Sequence, residues 1–296
     1  MKLACADFTW PLLSHRDVLS LIRMLDLEAV DLGIFGGRSH VRPEVVRDDI
    51  QAWSGVLRER LAQSGLELAD FFFQPALDFE TMAVNNPDPA QQQEARAAFF
   101  DMLEMACRLG APGMTLLPGV RFGDESWATS VRRSSEALKW RVDEAAKRGI
   151  RLSVEAHLGS NVDTPEKVAV LVDLTPGLEL TVDYTHFTYQ GIDDKEVEPL
   201  LRHARHFHCR GGARRRLQTS FAENTIDYGR VIKRMREVGY DGYFAIEYVW
   251  QDWEDTNKNE NVCETILFRD FARQAIEASG KDSPGAIDRP GGTSSI

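Results

Sequence analysis

Apolar residues in this chain fall into short, near-continuous runs that alternate with longer stretches of helical spacing. A first run spans residues 2–8, a helix-periodic stretch follows at 16–25, and a second run covers 29–34. Pro43 opens a long helix over 44–63 that Gly65 stops, since proline suits the first helical turn and glycine the position past the last. Next come a strand at 66–73, a helix at 90–109 ending at Gly110, and a strand at 113–117 closed by Pro118 and Gly119. A helix at 127–148 stops at Gly149, and strands at 151–156, 178–183, 206–210 and 243–248 follow. Helices at 165–174, 197–203 and 228–238 separate these strands, and a last helix spans 263–278. Runs buried on both faces belong to parallel sheets, in which the intervening helices are crossover connections.

Repeated eight times, the strand–helix unit predicts an α/β chain closed into a (β/α)8 TIM barrel, a single domain over residues 1–280. An open dinucleotide-binding sheet would carry GxGxxG after its first strand, where this chain has Asp7-Phe8-Thr9-Trp10-Pro11-Leu12. Residues 281–296, rich in Gly, Pro and Ser, are expected to form a flexible C-terminal tail. The segment from Gln74 to Ala90 is long for a connection in such a barrel and is a candidate lid.

A barrel changes the meaning of polar residues at strand ends, because side chains at its C-terminal mouth build the functional site. Glu155, Asp183, His208 and Glu247 stand at or near the ends of strands five to eight, which are neighbours around the ring. Any one carboxylate could cap a helix or pair with an arginine. Three converging carboxylates would repel one another, and a divalent cation removes that conflict. Oxygen-rich ligation with one imidazole favours Mn2+, with Mg2+, Co2+ and Zn2+ as alternatives, at one ion per chain. Glu155 and Glu247 are then candidates to move a proton next to a carbonyl, and His157 is a third acid/base candidate or a partner for a backbone carbonyl. Trp10, Phe35, Trp250 and Trp253 follow strands one, two and eight and could wall a substrate pocket or pack under loops. His15 and His40 have no metal spacing, and His203 and His206, beside Arg202 and Arg205, look like a solvated edge.

Charge and composition narrow the partners. A net charge of −11 disfavours nucleic acid, and the basic run Arg210–Arg216 does not reverse that field. No apolar stretch reaches the roughly 18 residues of a membrane span, and the start lacks the basic and apolar regions of a signal peptide. Four cysteines without CxxC spacing suit a reducing compartment, so a cytoplasmic location is expected. A homo-oligomer and a complex with a second subunit both remain open.

At these residues the chain resembles the xylose-isomerase-like barrel superfamily, the sugar phosphate isomerase/epimerase group. The resemblance covers about Lys2 to Ala278 and is strongest from Val154 onward. It implies a Glu–Asp–His–Glu metal set at Glu155, Asp183, His208 and Glu247, and its DxxH pattern matches Asp183–His186. It further implies that His186 and Arg214 hold substrate. Asn161 replaces a glutamate of the ketose 3-epimerase subgroup, while Glu155-Ala156-His157 is similar to relatives acting on inososes and other keto-cyclitols. Apurinic endonucleases share the barrel but need histidines on strands three and four, which here end in Phe73-Gln74 and Leu117-Pro118-Gly119. The expected activity is that of a metal-dependent isomerase or epimerase working on a ketose or keto-sugar through an enediolate. The alternative is a lyase or dehydratase on a keto-cyclitol or keto-glycoside, similar to inosose dehydratases or C-glycoside deglycosidases.

Overall fold

The computed structural model describes residues Met1–Lys281; past Lys281, the expected tail lies outside the described residues. The strands are β1 (Lys2–Ala6), β2 (Ala29–Phe35), β3 (Glu67–Gln74), β4 (Gly113–Leu116), β5 (Arg151–Glu155), β6 (Glu179–Asp183), β7 (Ala204–Cys209), a short pair β8 (Gly211–Ala213) and β9 (Arg216–Thr219), and β10 (Tyr243–Ile246). All but β8 and β9 form a closed parallel barrel in which β10 lies between β7 and β1. Closure is carried by register: Lys2 pairs with Tyr243 and Cys5 with Ile246 on one side, Phe244 with Phe207 on the other. The chain thus has the closed (β/α)8 barrel expected from its sequence.

The helices are α1 (His15–Met24), α2 (Pro43–Val46), α3 (Ile50–Ser64), α4 (Pro89–Leu109), α5 (Trp127–Ala146), α6 (Pro165–Leu174), α7 (Thr185–Gln190), α8 (Asp194–Val197), α9 (Tyr228–Glu237) and α10 (Asn261–Lys281). No helix among the described residues is long and apolar enough to cross a membrane. The helix expected over 44–63 is two helices, because Asp49 accepts the Ala52 N–H at 2.9 Å and starts α3 afresh. The helix expected over 197–203 is the tail of α8 and a 3-10 turn, Glu198–His203. The first strand stops at Ala6, where a 3-10 turn turns Asp7 inward to accept the Gly33 N–H at 2.9 Å. Two elements were not expected, α7 and the β8–β9 hairpin. The hairpin occupies the basic run, with Arg215 in the left-handed region (φ 59°) at its turn.

Outward-facing strand residues join the helices in one large apolar core, while the barrel's interior is filled by smaller layers. Ala4, Ala29, Ala69 and Ala245 form one such layer. Arg205 also turns inward, its guanidinium occupying the space that a side chain at Gly113 would take. Its Nη2 donates to Asp70 Oδ1 (2.6 Å), Thr115 Oγ1 (2.9 Å) and Ser153 Oγ (2.8 Å), partners on β3, β4 and β5. The expectation of a solvated edge at Arg205 and His206 is therefore wrong: both are buried. The physical reason is a register shift between β6 and β7, where Leu180 pairs with Ala204 but Thr181 with His206. The extra residue lets two consecutive side chains turn into the barrel.

Removing one member of a buried ion pair strands the other charge. Arg205→Ala and Asp70→Ala should each lower unfolding stability by about 3–5 kcal/mol in urea denaturation. A loss below about 1 kcal/mol, the level of an exposed pair, would show that this contact does not hold the barrel interior together.

Candidate active site

Glu155 ends β5, Asp183 ends β6 and pairs in register with His208 on β7, and Glu247 follows β10. The Glu247 N–H still donates to the Cys209 carbonyl at 2.9 Å, so its direction is fixed by the ladder. All four side chains are buried, and period-two alternation turns them to the same inner face. His208 Nδ1 lies 2.5 Å from Glu155 Oε1 and 3.6 Å from Glu247 Oε2, while its Nε2 lies 3.3 Å from Asp31 Oδ2. The structure thus brings together all four residues singled out in the sequence.

Their donor set fits a divalent cation. Glu155, His208 and Glu247 each offer an atom within 4.8 Å of the others, and Glu155, Asp183 and His186 do the same. Glu247 Oε2 is buried without a hydrogen-bond partner, as an oxygen kept for a cation would be. Burial raises the Glu247 pKa to about 8, with Glu155 and Asp183 adding to the rise and His208 and Arg210 opposing it. For His208 burial opposes the charge, but Glu247 and Glu155 and the bonds to Asp31 and Glu155 raise it well above the usual imidazole value. In Asp183 burial is outweighed by Arg210, His186 and the Thr185 bonds, which leave its carboxyl below the ordinary range.

Arg210 was singled out in the sequence only as the first residue of the basic run Arg210–Arg216, with no role in the site. It is buried, with Nη2 2.9 Å from Asp183 Oδ2 and Nη1 3.3 Å from Glu247 Oε2. Its signal was its place two residues after His208, which puts His206, His208 and Arg210 on one inward face of the strand. His206 donates to Asp31 Oδ2 at 2.8 Å beneath the site. Burial disfavours the Asp31 charge, but His206 and His208 outweigh it and hold the carboxyl well below its usual value.

Above these groups opens a cavity of about 340 Å³, lined by Phe8, Phe35, Phe72, His157, His186 and Trp250 among others. His157 Nδ1 donates to the Leu158 carbonyl at 2.8 Å, so Nε2 carries the lone pair, and that atom is buried without a partner. Burial, partly offset by that carbonyl and by Asp163, brings the ring down to about 4, so it is neutral at physiological pH. His186 accepts the Leu158 N–H on Nδ1 (3.1 Å) and presents Nε2 3.5 Å from Asp183; burial, opposed by Asp183, brings it to about 3. Trp253 also lines the cavity and closes on Phe79.

Other residues singled out in the sequence lie elsewhere. Arg214 is exposed at the hairpin turn, its side chain set to run past Gly191 and outside the cavity lining. Trp10 packs partly buried against the main core and does not line the cavity; Phe8 and Pro11 of the same loop do. Asn161 turns away to Ser130 and Ser134, donating at 3.0 and 2.9 Å. The candidate lid sends Phe79 and Leu77 into the cavity wall but is pinned at its far end by buried Asn85, which bonds the Val120 carbonyl at 2.7 Å.

With fold and site described, the class is plain: the chain belongs to the xylose isomerase-like TIM barrel family, whose profile matches residues 19–268. No curated protein matches the chain in sequence. Among solved structures it is similar to L-ribulose 3-epimerase (TM-score 0.74, 15% identity, covering 98% of this chain and 99% of that one). It is also similar to the probable 3-DHS dehydratase AsbF from Bacillus anthracis (0.68, 14%, 91% and 99%). A third similar structure is a xylose isomerase-like TIM barrel protein from Mycobacterium smegmatis in complex with magnesium (0.70, 15%, 94% and 97%). Identities this low carry the fold and nothing finer.

The site's protonation gives a test of the ion. Glu247 and His208 both have raised pKa values, so a cation bound between them would have to compete with protons. Mn2+ affinity should therefore rise with pH between about pH 6 and 8, with at least about one proton released per ion at pH 7. Calorimetry in buffers of different ionisation enthalpy measures that number; uptake without proton release would contradict the assignment of these two ligands.

Proposed function

We propose that the chain is a divalent-metal-dependent isomerase or epimerase acting on a ketose or keto-sugar. The observation that supports this reading is the convergence of Glu155 and Glu247 on His208 Nδ1, at 2.5 and 3.6 Å, with both glutamates lining one cavity. Glu155, Asp183, His208 and Glu247 would hold the cation, with Mn2+ the favoured ion. A bound dication would stabilise negative charge on the substrate's oxygens and so acidify the C–H next to its carbonyl. One glutamate takes that proton and the other returns it. Return on the opposite face epimerises the carbon, and return to the neighbouring carbon isomerises the sugar. The raised pKa of Glu247 fits a group that holds a proton near neutral pH. His157, neutral with a free Nε2 facing the same cavity, is the reserve acid/base group, and His186 helps hold substrate.

The fold is one that L-ribulose 3-epimerase, a probable 3-DHS dehydratase and a magnesium complex of the family share, so it accommodates this reading and its alternative alike. The lyase alternative shares the same enediolate and differs in what leaves it. Product mass separates the two, since epimerisation conserves mass and elimination does not.

Glutamine keeps the size of each glutamate and removes its basicity. Glu155→Gln and Glu247→Gln should each lower turnover by about 10²–10⁴-fold, the usual contribution of a positioned base. In D2O the wild type should exchange the C–H beside the substrate carbonyl, followed by NMR, and the variants should exchange it slowly or not at all. Wild-type exchange in both variants would refute the glutamate pair and turn attention to His157.

A further inference from the structure

One guanidinium in the cavity has no carboxylate of its own. Arg38 sits half-buried on the loop after β2 and lines the cavity. Its Nη1 donates to Gln251 Oε1 at 2.5 Å and its Nη2 to Gln74 Oε1 at 2.7 Å, both neutral amide oxygens. Its Nε is buried without a partner, and the guanidinium lies 4.6 Å from the centre of the Phe35 ring. Among the described residues no carboxylate oxygen comes within 4.0 Å of it. Arg205 and Arg210, the other guanidiniums turned into the barrel, rest on Asp70 and Asp183 at 2.6 and 2.9 Å. Burial lowers the Arg38 pKa and the more distant Glu247 and Glu155 only partly offset it, as befits a charge short of its counterion.

We infer that the substrate carries an anionic group, a carboxylate or a phosphate attached to the keto-sugar, and that Arg38, aimed by Gln74 and Gln251, is the seat of that group. This rests on the keto-sugar reading above and narrows it. An anion settling against the guanidinium adds the attraction of opposite charges and a two-bond fork, which the neutral amide oxygens of Gln74 and Gln251 do not supply.

The test uses one ketose skeleton with three groups at its last carbon. Mn2+-loaded protein is titrated by calorimetry with D-fructose, D-fructuronate and D-fructose 6-phosphate, after ion content and circular dichroism are matched between variants. At least one of the two anions should bind about tenfold or more tightly than fructose, the usual worth of a charged hydrogen bond. Whichever anion is preferred identifies the group as carboxylate or phosphate. Arg38→Gln should abolish most of that preference, and Arg38→Lys, which keeps the charge but not the fork, should retain part of it. Fructose binding as tightly as both anions, or a preference that survives in Arg38→Gln, overturns the inference and leaves the keto-sugar reading standing. Binding of none of the three overturns both.

Discussion

Buried negative charge is the constraint on which the rest of this barrel depends. Asp70, Asp31, Glu155, Asp183 and Glu247 all turn inward from strands or strand ends where water is scarce, and none could ionise there uncompensated. The answer comes from one strand and the residue after it. β7 supplies Arg205 against Asp70, His206 against Asp31 and His208 against Glu155 and Glu247, and Arg210, next in the chain, stands against Asp183 and Glu247. From the barrel floor to its mouth, one column of hydrogen-bond donors faces acids contributed by the other strands. The strand's register is therefore an electrostatic necessity as much as a packing one, and the shift at Thr181–His206 is what lets the column begin one residue early.

That arrangement explains what could be read from the sequence and what could not. The four mouth residues were legible because each closes an apolar run, and the side-chain period of a strand sends them to the same face. The rest of the column was hidden for two reasons. Arg205 and His206 precede the apolar core of their strand, and only a register shift, which no residue pattern announces, turns both inward. Arg210 opens a run of arginines, and the exposure of Arg214, Arg215 and Arg216 at the hairpin turn describes the run better than it describes its first member. Asp49 was the reverse case: a residue with good capping chemistry in an uninterrupted helical pattern, where the cap won over the pattern.

The walls of the site follow loop geometry, which sequence spacing constrains least. Phe8 and Phe35 sit at or next to the ends of rigid strands and pack 4.8 Å apart between ring centres, so their place in the cavity is set by the barrel itself. Trp10 lies only two residues beyond Phe8 but past the 3-10 turn, which swings it toward the main core. The segment after β3 contributes Phe79 while Asn85 anchors it to the loop after β4, so it acts as a fixed wall over the range that Asn85 controls. Gly119 makes that anchor possible, since a side chain there would occupy the space of the Asn85 amide.

Polar satisfaction changes along the barrel axis, and the change marks where function sits. At the floor, Arg205, Asp70, Thr115, Ser153 and Thr181 satisfy one another in a closed network. One layer up, Asp31 serves two histidines through a single oxygen and leaves the other without a partner. At the mouth, Glu247 Oε2, His157 Nε2 and Arg38 Nε are all buried and unbonded, around a cavity large enough for a small molecule. Each such atom costs about 1–3 kcal/mol in a folded protein, and nothing in barrel stability requires them. A chain that closes its floor so completely has the chemistry to close its mouth as well. In the function proposed above, these open valences would serve as an oxygen for a cation, a lone pair for a proton and a guanidinium for an anion.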